Sequence, residues 1–232
     1  MTALVLNSTL NCVGEFDNLY TDNEIKNEPM LFSCGIAHAM NFGGKITQQF
    51  LSSLVATDEY YCATMDADPN TSVIVDSRVH MLMPGWYPCI PGWHHDDIDR
   101  GGLFNQPEYG KDVHGRDMQS KYHFMGLVNA HIAPTEFIVG STILTDPDNV
   151  PNVYEKWHQE IEWSKRRGHH QVEKAESGKI YEFNQFSMHR GTQAVSSGWR
   201  WFIRVTVGSN RRVTNEIRNQ VQTYIPVENK GW

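Results

Sequence analysis

The feature of the sequence that most constrains its fold is the run SVIVDSRVHMLM at residues 72–83. Its β-branched side chains and its alternation of apolar with polar residues are typical of a β-strand and unfavourable for a helix. Shorter runs of the same kind recur along the chain. We therefore predict strands at residues 3–6, 30–34, 72–83, 122–129, 136–144, 179–184, 188–195, 199–207 and 220–226.

Two other segments have the four-residue period of an amphipathic helix. One begins near residue 41, and the other begins near residue 151 and should end before Gly168. We expect their apolar faces to pack on a sheet. These faces carry Ile46, Phe50 and Leu54 in the first helix, and Val153, Trp157 and Ile161 in the second.

The 232 residues suffice for one well-buried core, and all-β folds of this length are commonly single domains. We therefore expect one domain, residues 1–232. About eight to ten short strands with two helices fit a mainly β fold. The expected architecture is a double-stranded β-helix, that is a cupin-like jelly roll, with a few flanking α-helices.

Composition excludes several classes of function. A formal charge of −7 gives no basic surface for nucleic acid, so a nucleic-acid partner is not expected. No window approaches the roughly 18 apolar residues that a membrane span needs, and we expect no membrane partner. The four cysteines have no C-x-x-C spacing, which favours reduced thiols in a cytoplasmic protein.

The segment PGWHHDD, residues 91–97, contains the main candidates for catalytic or metal-binding residues. Prolines and glycines punctuate residues 84–92, so we expect a bent or edge strand there, followed by a long surface loop at 99–120. In a strand, side chains two apart share a face, so His94 and Asp96 would reach one point. His95 and Asp97 form a second H-x-D in the other register, and both registers stay open on this ground alone.

A third histidine, His189, lies in the distant segment SMHRG at residues 187–191. With an H-x-D pair it would complete a 2-His-1-carboxylate facial triad. This triad leaves three positions of a six-coordinate metal open and is the usual site of a non-heme Fe(II) oxygenase.

The order H-x-D, distal His and then Arg resembles that of the Fe(II)/2-oxoglutarate-dependent dioxygenases, particularly the phytanoyl-CoA hydroxylase-like and taurine dioxygenase-like branches. Two arginines follow His189 at about the spacing of that order: Arg200, eleven residues later, and Arg204, fifteen residues later. The resemblance covers roughly residues 71–208 and includes Trp93 directly before the first histidine. This Trp-His-x-Asp arrangement favours the register with His94 and Asp96. The segment VGST at 139–142 departs from the family's usual Pro-Gly-Ser-His, which puts the substrate loop in doubt but not the metal.

The resemblance implies that His94, Asp96 and His189 bind Fe(II). It implies that Arg200 binds the distal carboxylate of the cosubstrate 2-oxoglutarate, and that Arg204 steadies the carboxylate nearer the metal. Both arginines should project from one face of a strand. The implied reaction consumes O2, releases succinate and CO2, and hydroxylates a C–H bond of a small-molecule substrate.

Two rival functions remain open. A cupin-type isomerase or hydrolase would use a divalent metal without 2-oxoglutarate, and it would not need Arg200 as an anchor. A non-catalytic jelly-roll binding module would contain the H-x-D and the distal histidine by coincidence.

The remaining histidines and Trp93 receive simpler interpretations. We expect a solvated helix end for His169 and His170. Hydrogen-bonded positions in the core or around the site are expected for His80, His123 and His131. Trp93 is predicted to line the pocket.

Overall fold

The computed structural model describes residues 3–98, 100–101, 106–107, 121–146 and 150–218. Its strands are β1 (Ala3–Ser8), β2 (Asn11–Glu15), β3 (Met30–Phe32), β4 (Ser72–Leu82), β5 (Arg100–Gly101), β6 (Gln106–Pro107), β7 (Tyr122–Val128), β8 (Thr135–Thr145), β9 (Gln171–Lys174), β10 (Lys179–Asn184), β11 (His189–Gly191), β12 (Gly198–Ser209) and β13 (Glu216–Arg218). Its helices are α1 (Asp22–Lys26), α2 (Ile36–Phe42), α3 (Lys45–Leu54), α4 (Asp58–Asp66) and α5 (Val153–Arg166). The described chain is mainly β, as the sequence predicts.

The larger sheet is antiparallel and has the strand order β2-β10-β7-β12-β4. Side chains along β12 alternate between an apolar face and a polar face. Trp201, Ile203 and Val205 are buried in the core that the sheet shares with helices α1 to α4. Arg200 and Arg204 face the opposite way, into a cavity. One face of this sheet is therefore apolar packing, and the other carries the site.

The smaller sheet is built around β8, which pairs with β1, β9 and β11. The first half of β8 pairs with β9 and β11, and the second half, from Gly140 onward, pairs with β1. Helix α5 covers the outer face of this sheet and buries Trp157 and Ile161 beside Leu144. The two sheets thus form a β-sandwich with helices on both outer faces.

A carboxylate from outside the helix caps α3. The N-cap residue Gly44 has no side chain, and the Glu28 carboxylate accepts hydrogen bonds from the backbone N–H groups of Ile46 and Thr47 at 3.2 and 2.8 Å. A Cβ at Gly44 would lie 2.3 Å from this carboxylate. The glycine therefore leaves room for the cap that satisfies the first turn.

Most predicted elements are present, but three expectations are wrong. The described chain has five helices and not two, because α1, α2 and α4 also fold in the N-terminal third. Residues 84–92 form turns and bends instead of a strand, and residues 188–195 form only the three-residue β11. Strands β2, β9 and β13 were not predicted. The predicted strand at 220–226, and the predicted loop at 99–120 apart from β5 and β6, lie outside the described residues.

Among the described residues, no helix combines the length and the apolar character that a membrane crossing requires.

Candidate metal site

A single antiparallel bridge brings the two distant histidines together. The His94 N–H donates to the His189 carbonyl at 2.9 Å, and the His189 N–H donates to the His94 carbonyl at 2.8 Å. Residues directly opposite in such a pair project to the same side. The two imidazole rings accordingly lie 4.7 Å apart between centroids.

The expectation of an extended strand through the H-x-D motif is only partly correct. His94 is in the bridge, but Asp96 lies in a bend, and Asp97 has a positive φ of 56°. The chain turns here, and the turn places the Asp96 carboxylate next to the histidine rings. One ligand atom from each of His94, Asp96 and His189 lies within 4.8 Å of the others.

Backbone carbonyls fix the orientation of both imidazoles. The Nδ1 atom of His94 lies 2.9 Å from the Gly92 carbonyl, and that of His189 lies 2.9 Å from the Ser187 carbonyl. A carbonyl oxygen can only accept, so each Nδ1 donates a hydrogen bond, and Nε2 is left as the atom of each imidazole that can bind a metal. Such a second hydrogen bond is usual for histidines that bind metals.

The resulting geometry suits a cation. Nε2 of His189 lies 3.1 Å from Oδ2 of Asp96, so a lone pair faces a carboxylate oxygen unless a proton or a metal ion joins them. Two imidazole nitrogens and one carboxylate are the donor set of the facial triad. The residues present therefore fit a divalent transition metal.

The electrostatics keep His94 and Asp96 in the forms that bind a metal. Burial, with the nearby His189, lowers the pKa of His94 to about 4, so its imidazole is neutral at pH 7. Burial alone would raise the pKa of Asp96, but the Arg204 guanidinium and His189 hold that pKa well below its usual value. Asp96 is consequently a carboxylate at neutral pH.

The second H-x-D register points elsewhere. Nδ1 of His95 lies 3.1 Å from the Tyr154 hydroxyl, and its ring packs edge-on against Trp157 of α5. Asp97 lies 3.9 Å from Nδ1 of the buried His123. Across the described residues, the set of converging ligand atoms contains His94 and Asp96.

Arg200 is a buried cation in the same cavity. It is 2 % exposed, and its Nη2 donates to the Thr135 hydroxyl at 3.2 Å. Its Nε is buried with no hydrogen-bond partner, and no carboxylate within the described ranges pairs with it. Burial lowers its pKa to about 10, which leaves the side chain charged at neutral pH. An unpaired buried guanidinium is costly unless a ligand supplies the anion.

Arg204 has the same orientation but a different environment. The two arginines share the cavity face of β12, as predicted. Arg204 contacts the Asp96 carboxylate directly and lies 3.7 Å from that of Asp76 and 3.8 Å from that of Asp97. Its charge is therefore balanced by protein carboxylates, whereas no carboxylate of the described residues pairs with Arg200.

The cavity has a volume of about 490 Å³ and contains the His-Asp-His group and both arginines. Alternate side chains from the middle of β4 face this cavity, and α5 adds Tyr154 to its wall. The alternating Asp76, Arg78 and His80 could have signalled this wall in the sequence. Arg100 lies just after the motif, whereas Tyr154 and Arg211 lie far from it in the sequence. The cavity residues that sequence reasoning missed are Asp76, Arg78, Arg100, Tyr154 and Arg211, with His80 expected only near the site.

The prediction that Trp93 lines the pocket is wrong. Its side chain is fully buried on the other side of the bridge, among the residues of α5. Adjacent side chains on an extended segment point to opposite faces. Trp93 therefore projects away from the metal side because His94 projects toward it.

A β-sandwich that encloses a His-Asp-His group defines a candidate metalloprotein. No protein-family model matches the sequence, and no curated protein matches it. Its structure overlaps with a crystal structure described as a novel N-substituted L-amino acid dioxygenase from Burkholderia ambifaria AMMD, with a TM-score of 0.32 and 13 % sequence identity over 82 % of this chain and 73 % of that chain. A score this low is too weak to assign either fold or function.

Proposed function

We propose that the protein is an Fe(II)- and 2-oxoglutarate-dependent dioxygenase with a jelly-roll fold of the double-stranded β-helix type. The proposal rests on one observation: three convergent ligand side chains share a cavity with a buried arginine that pairs with no carboxylate of the described residues. The three ligands match a metal, and the arginine matches a dicarboxylate that also reaches the metal. The proposal covers residues 1–232 as one domain.

His94, Asp96 and His189 would hold Fe(II), because two imidazole nitrogens and one carboxylate with open positions are the donor set of non-heme iron oxygenases. When bound, iron and 2-oxoglutarate supply the oxidising chemistry. Overall, one substrate C–H bond, O2 and 2-oxoglutarate are converted to C–OH, succinate and CO2. Both oxygen atoms of O2 are accounted for, one in succinate and one in the hydroxyl group.

The protein's own part is to bind, orient and exclude water. Arg200 would bind the distal carboxylate of 2-oxoglutarate, because a guanidinium forms a planar, permanently charged fork for a carboxylate. Thr135 holds the guanidinium from β8. Phe137 stacks on the His189 ring, and Phe183 meets it edge-on, both at 5.3 Å between centroids. These rings fix the ligand histidine and keep water from its inner side.

Arg204 would position the metal-ligating carboxylate. It contacts Asp96 while Asp76 and Asp97 lie on its other side. A guanidinium held between several carboxylates has little freedom to turn, so Asp96 keeps its orientation toward the two histidines.

A small molecule is the proposed substrate. The cavity of about 490 Å³ lies within the range of about 300–1,000 Å³ that small-molecule sites occupy. A metal-dependent isomerase or hydrolase would share the ligand set, but it would not need a buried guanidinium that, within the described part of the chain, has no carboxylate partner.

The proposal is tested by the decarboxylation of 2-oxoglutarate labelled with 14C at C1. The native chain, supplied with Fe(II), ascorbate and O2, should release labelled CO2 even without its substrate, and a panel of small molecules should accelerate this release. His189→Ala should reduce the release to background. Release from the native chain that does not exceed the level of His189→Ala would contradict the proposal.

A further inference from the structure

We infer that Glu162 of helix α5 is a positioning residue that holds the two metal-binding histidines at their mutual distance and orientation. The inference rests on the proposed metal site and adds a residue outside the cavity. It concerns three side chains, Trp93, Glu162 and Arg190, which we call the α5 brace.

The brace lies on the reverse side of the histidine bridge. Trp93 directly precedes His94, and Arg190 directly follows His189. Because His94 and His189 project to the cavity side, their neighbours project to the opposite side. There the guanidinium of Arg190 lies over the Trp93 ring, 4.5 Å from its centroid.

One carboxylate oxygen ties these two neighbours together. Oε1 of Glu162 accepts a hydrogen bond from the Trp93 indole N–H at 2.8 Å and another from Nη1 of Arg190 at 2.9 Å. Trp93 is fully buried, and the side chains of Arg190 and Glu162 are 19 % and 29 % exposed. Charge-assisted hydrogen bonds between partly buried groups are stronger than those between exposed groups. A shift of Glu162 would therefore move both histidine backbones at once.

Other contacts hold each member of the brace in place. Glu136 of β8 accepts from Nε and Nη2 of Arg190 at 3.0 and 2.8 Å. The Trp93 backbone N–H donates to Nδ1 of His158, one turn before Glu162 on α5, at 3.4 Å. The brace thus connects the H-x-D segment, β11, β8 and α5 into one unit.

Glu162 is ionised when it acts in this way. Burial would raise its pKa, but the Trp93 hydrogen bond and the charges of Arg190 and Lys165 hold that pKa below its usual value. The carboxylate is therefore available to both donors across the neutral range.

The test uses Co(II) as a probe of the metal site, because its visible absorption reports ligand geometry without turnover. Glu162→Ala should bind Co(II) at least about 10-fold more weakly than the native chain, which is the usual loss when a partner behind a ligand is removed. Its visible spectrum should also change in band position or intensity. Glu162→Gln should recover most of the affinity, because its amide oxygen can accept from both Trp93 and Arg190.

Glu160→Ala is the matched control on the same helix. Glu160 accepts from the backbone N–H and the hydroxyl of Thr145 and has no part in the brace. This variant should lower the melting temperature while leaving the Co(II) affinity and spectrum unchanged. If Glu160→Ala weakened Co(II) binding as much as Glu162→Ala, general loosening of α5 would explain both results and the inference would be wrong.

If Glu162→Ala does not fold, Trp93→Phe tests the inference instead, because it removes the indole N–H that donates to Glu162 and keeps an aromatic ring in the core. Weaker Co(II) binding with an altered spectrum supports the brace, and native binding overturns it. Native affinity and spectrum in a folded Glu162→Ala would overturn the brace alone. Failure of the native chain to bind Co(II) would instead overturn the metal site and the proposed function with it.

Discussion

Arg200 illustrates at the scale of one residue how a binding site can oppose stability. A guanidinium that is 2 % exposed and has no protein carboxylate among the described residues destabilises the ligand-free fold, since the charge has been taken out of water without an ion partner. The same feature leaves its charge available to a carboxylate that enters the cavity.

We predict that Arg200→Met weakens 2-oxoglutarate binding and does not lower the melting temperature of the ligand-free protein. Loss of a buried charge-assisted contact costs on the order of 2–5 kcal/mol, which corresponds to a loss of affinity of roughly 30-fold or more. Methionine fills the volume without a charge. Isothermal titration with 2-oxoglutarate in the presence of metal and a thermal melt measure the two effects.

Arg204→Met is measured in parallel, and Arg200→Lys should retain part of the affinity because it keeps the charge but loses the fork. Metal content should survive in Arg200→Met, because Arg200 is not a ligand. If 2-oxoglutarate binding were lost in Arg204→Met and retained in Arg200→Met, the assignment of Arg200 as the residue that binds the distal carboxylate would be wrong.

Helix α5 shows at the scale of an element what a single sequence can predict. Its apolar residues recur over fourteen residues, which is long enough for the helical period to stand out. Helices α1 and α2 have five and seven residues, and one or two turns offer too few positions for a period. Helix α4 has nine residues but buries only Ala63, so it has no apolar face to produce a period. These helices form because they pack against the larger sheet, which is a tertiary effect.

Some residues of the candidate site could be predicted from the sequence, and others could not. The H-x-D spacing is a local pattern, but His189 lies 93 residues after Asp96, and the resemblance to a family with the same order of motifs is what indicated it as a third ligand. The brace depends on Glu162 and Arg190, which are 28 residues apart, and on Glu136, which is 54 residues from Arg190. No local pattern reports such pairs, and the fold alone brings them together.

Two tryptophans on α5 provide a matched comparison of buried and exposed packing. Trp157 is fully buried, donates its indole N–H to the Thr145 carbonyl at 2.7 Å, and packs against Tyr154. Trp157→Ala should lower the free energy of unfolding by about 3–5 kcal/mol. Trp163 is 51 % exposed and has the Arg167 guanidinium over its ring, so Trp163→Ala should cost about 0.5–1 kcal/mol.

Urea denaturation followed by circular dichroism measures both variants. Equal losses would mean that α5 does not dock through the face that contains Trp157.

At the scale of the whole molecule, buried neutral histidines make stability depend on pH. Burial lowers the pKa of His80 and His95 to about 3 and that of His123 to about 4, whereas the unfolded chain titrates near about 6.5. Between these values the unfolded state binds more protons, so the free energy of unfolding falls as the pH falls below the unfolded pKa.

Each such histidine contributes a slope of about 1.4 kcal/mol per pH unit in that window. The metal-free protein should therefore be markedly less stable to urea at pH 5.5 than at pH 7. His123→Gln, which cannot titrate, should show a smaller difference between the two pH values. A free energy of unfolding that is equal at both would mean that these histidines are not buried as neutral groups.

The most direct measurement of the proposed site is an anaerobic titration of the metal-free native chain with Fe(II) and then 2-oxoglutarate. A weak visible metal-to-ligand band appears when 2-oxoglutarate chelates iron, and it needs neither substrate nor O2. We predict that the band saturates at one Fe(II) and one 2-oxoglutarate per chain and is absent in His189→Ala. In Arg200→Met it should require roughly 30-fold more 2-oxoglutarate. No band with the native chain at saturating metal and cosubstrate, or an unchanged band in His189→Ala, would contradict the site and the function proposed for it.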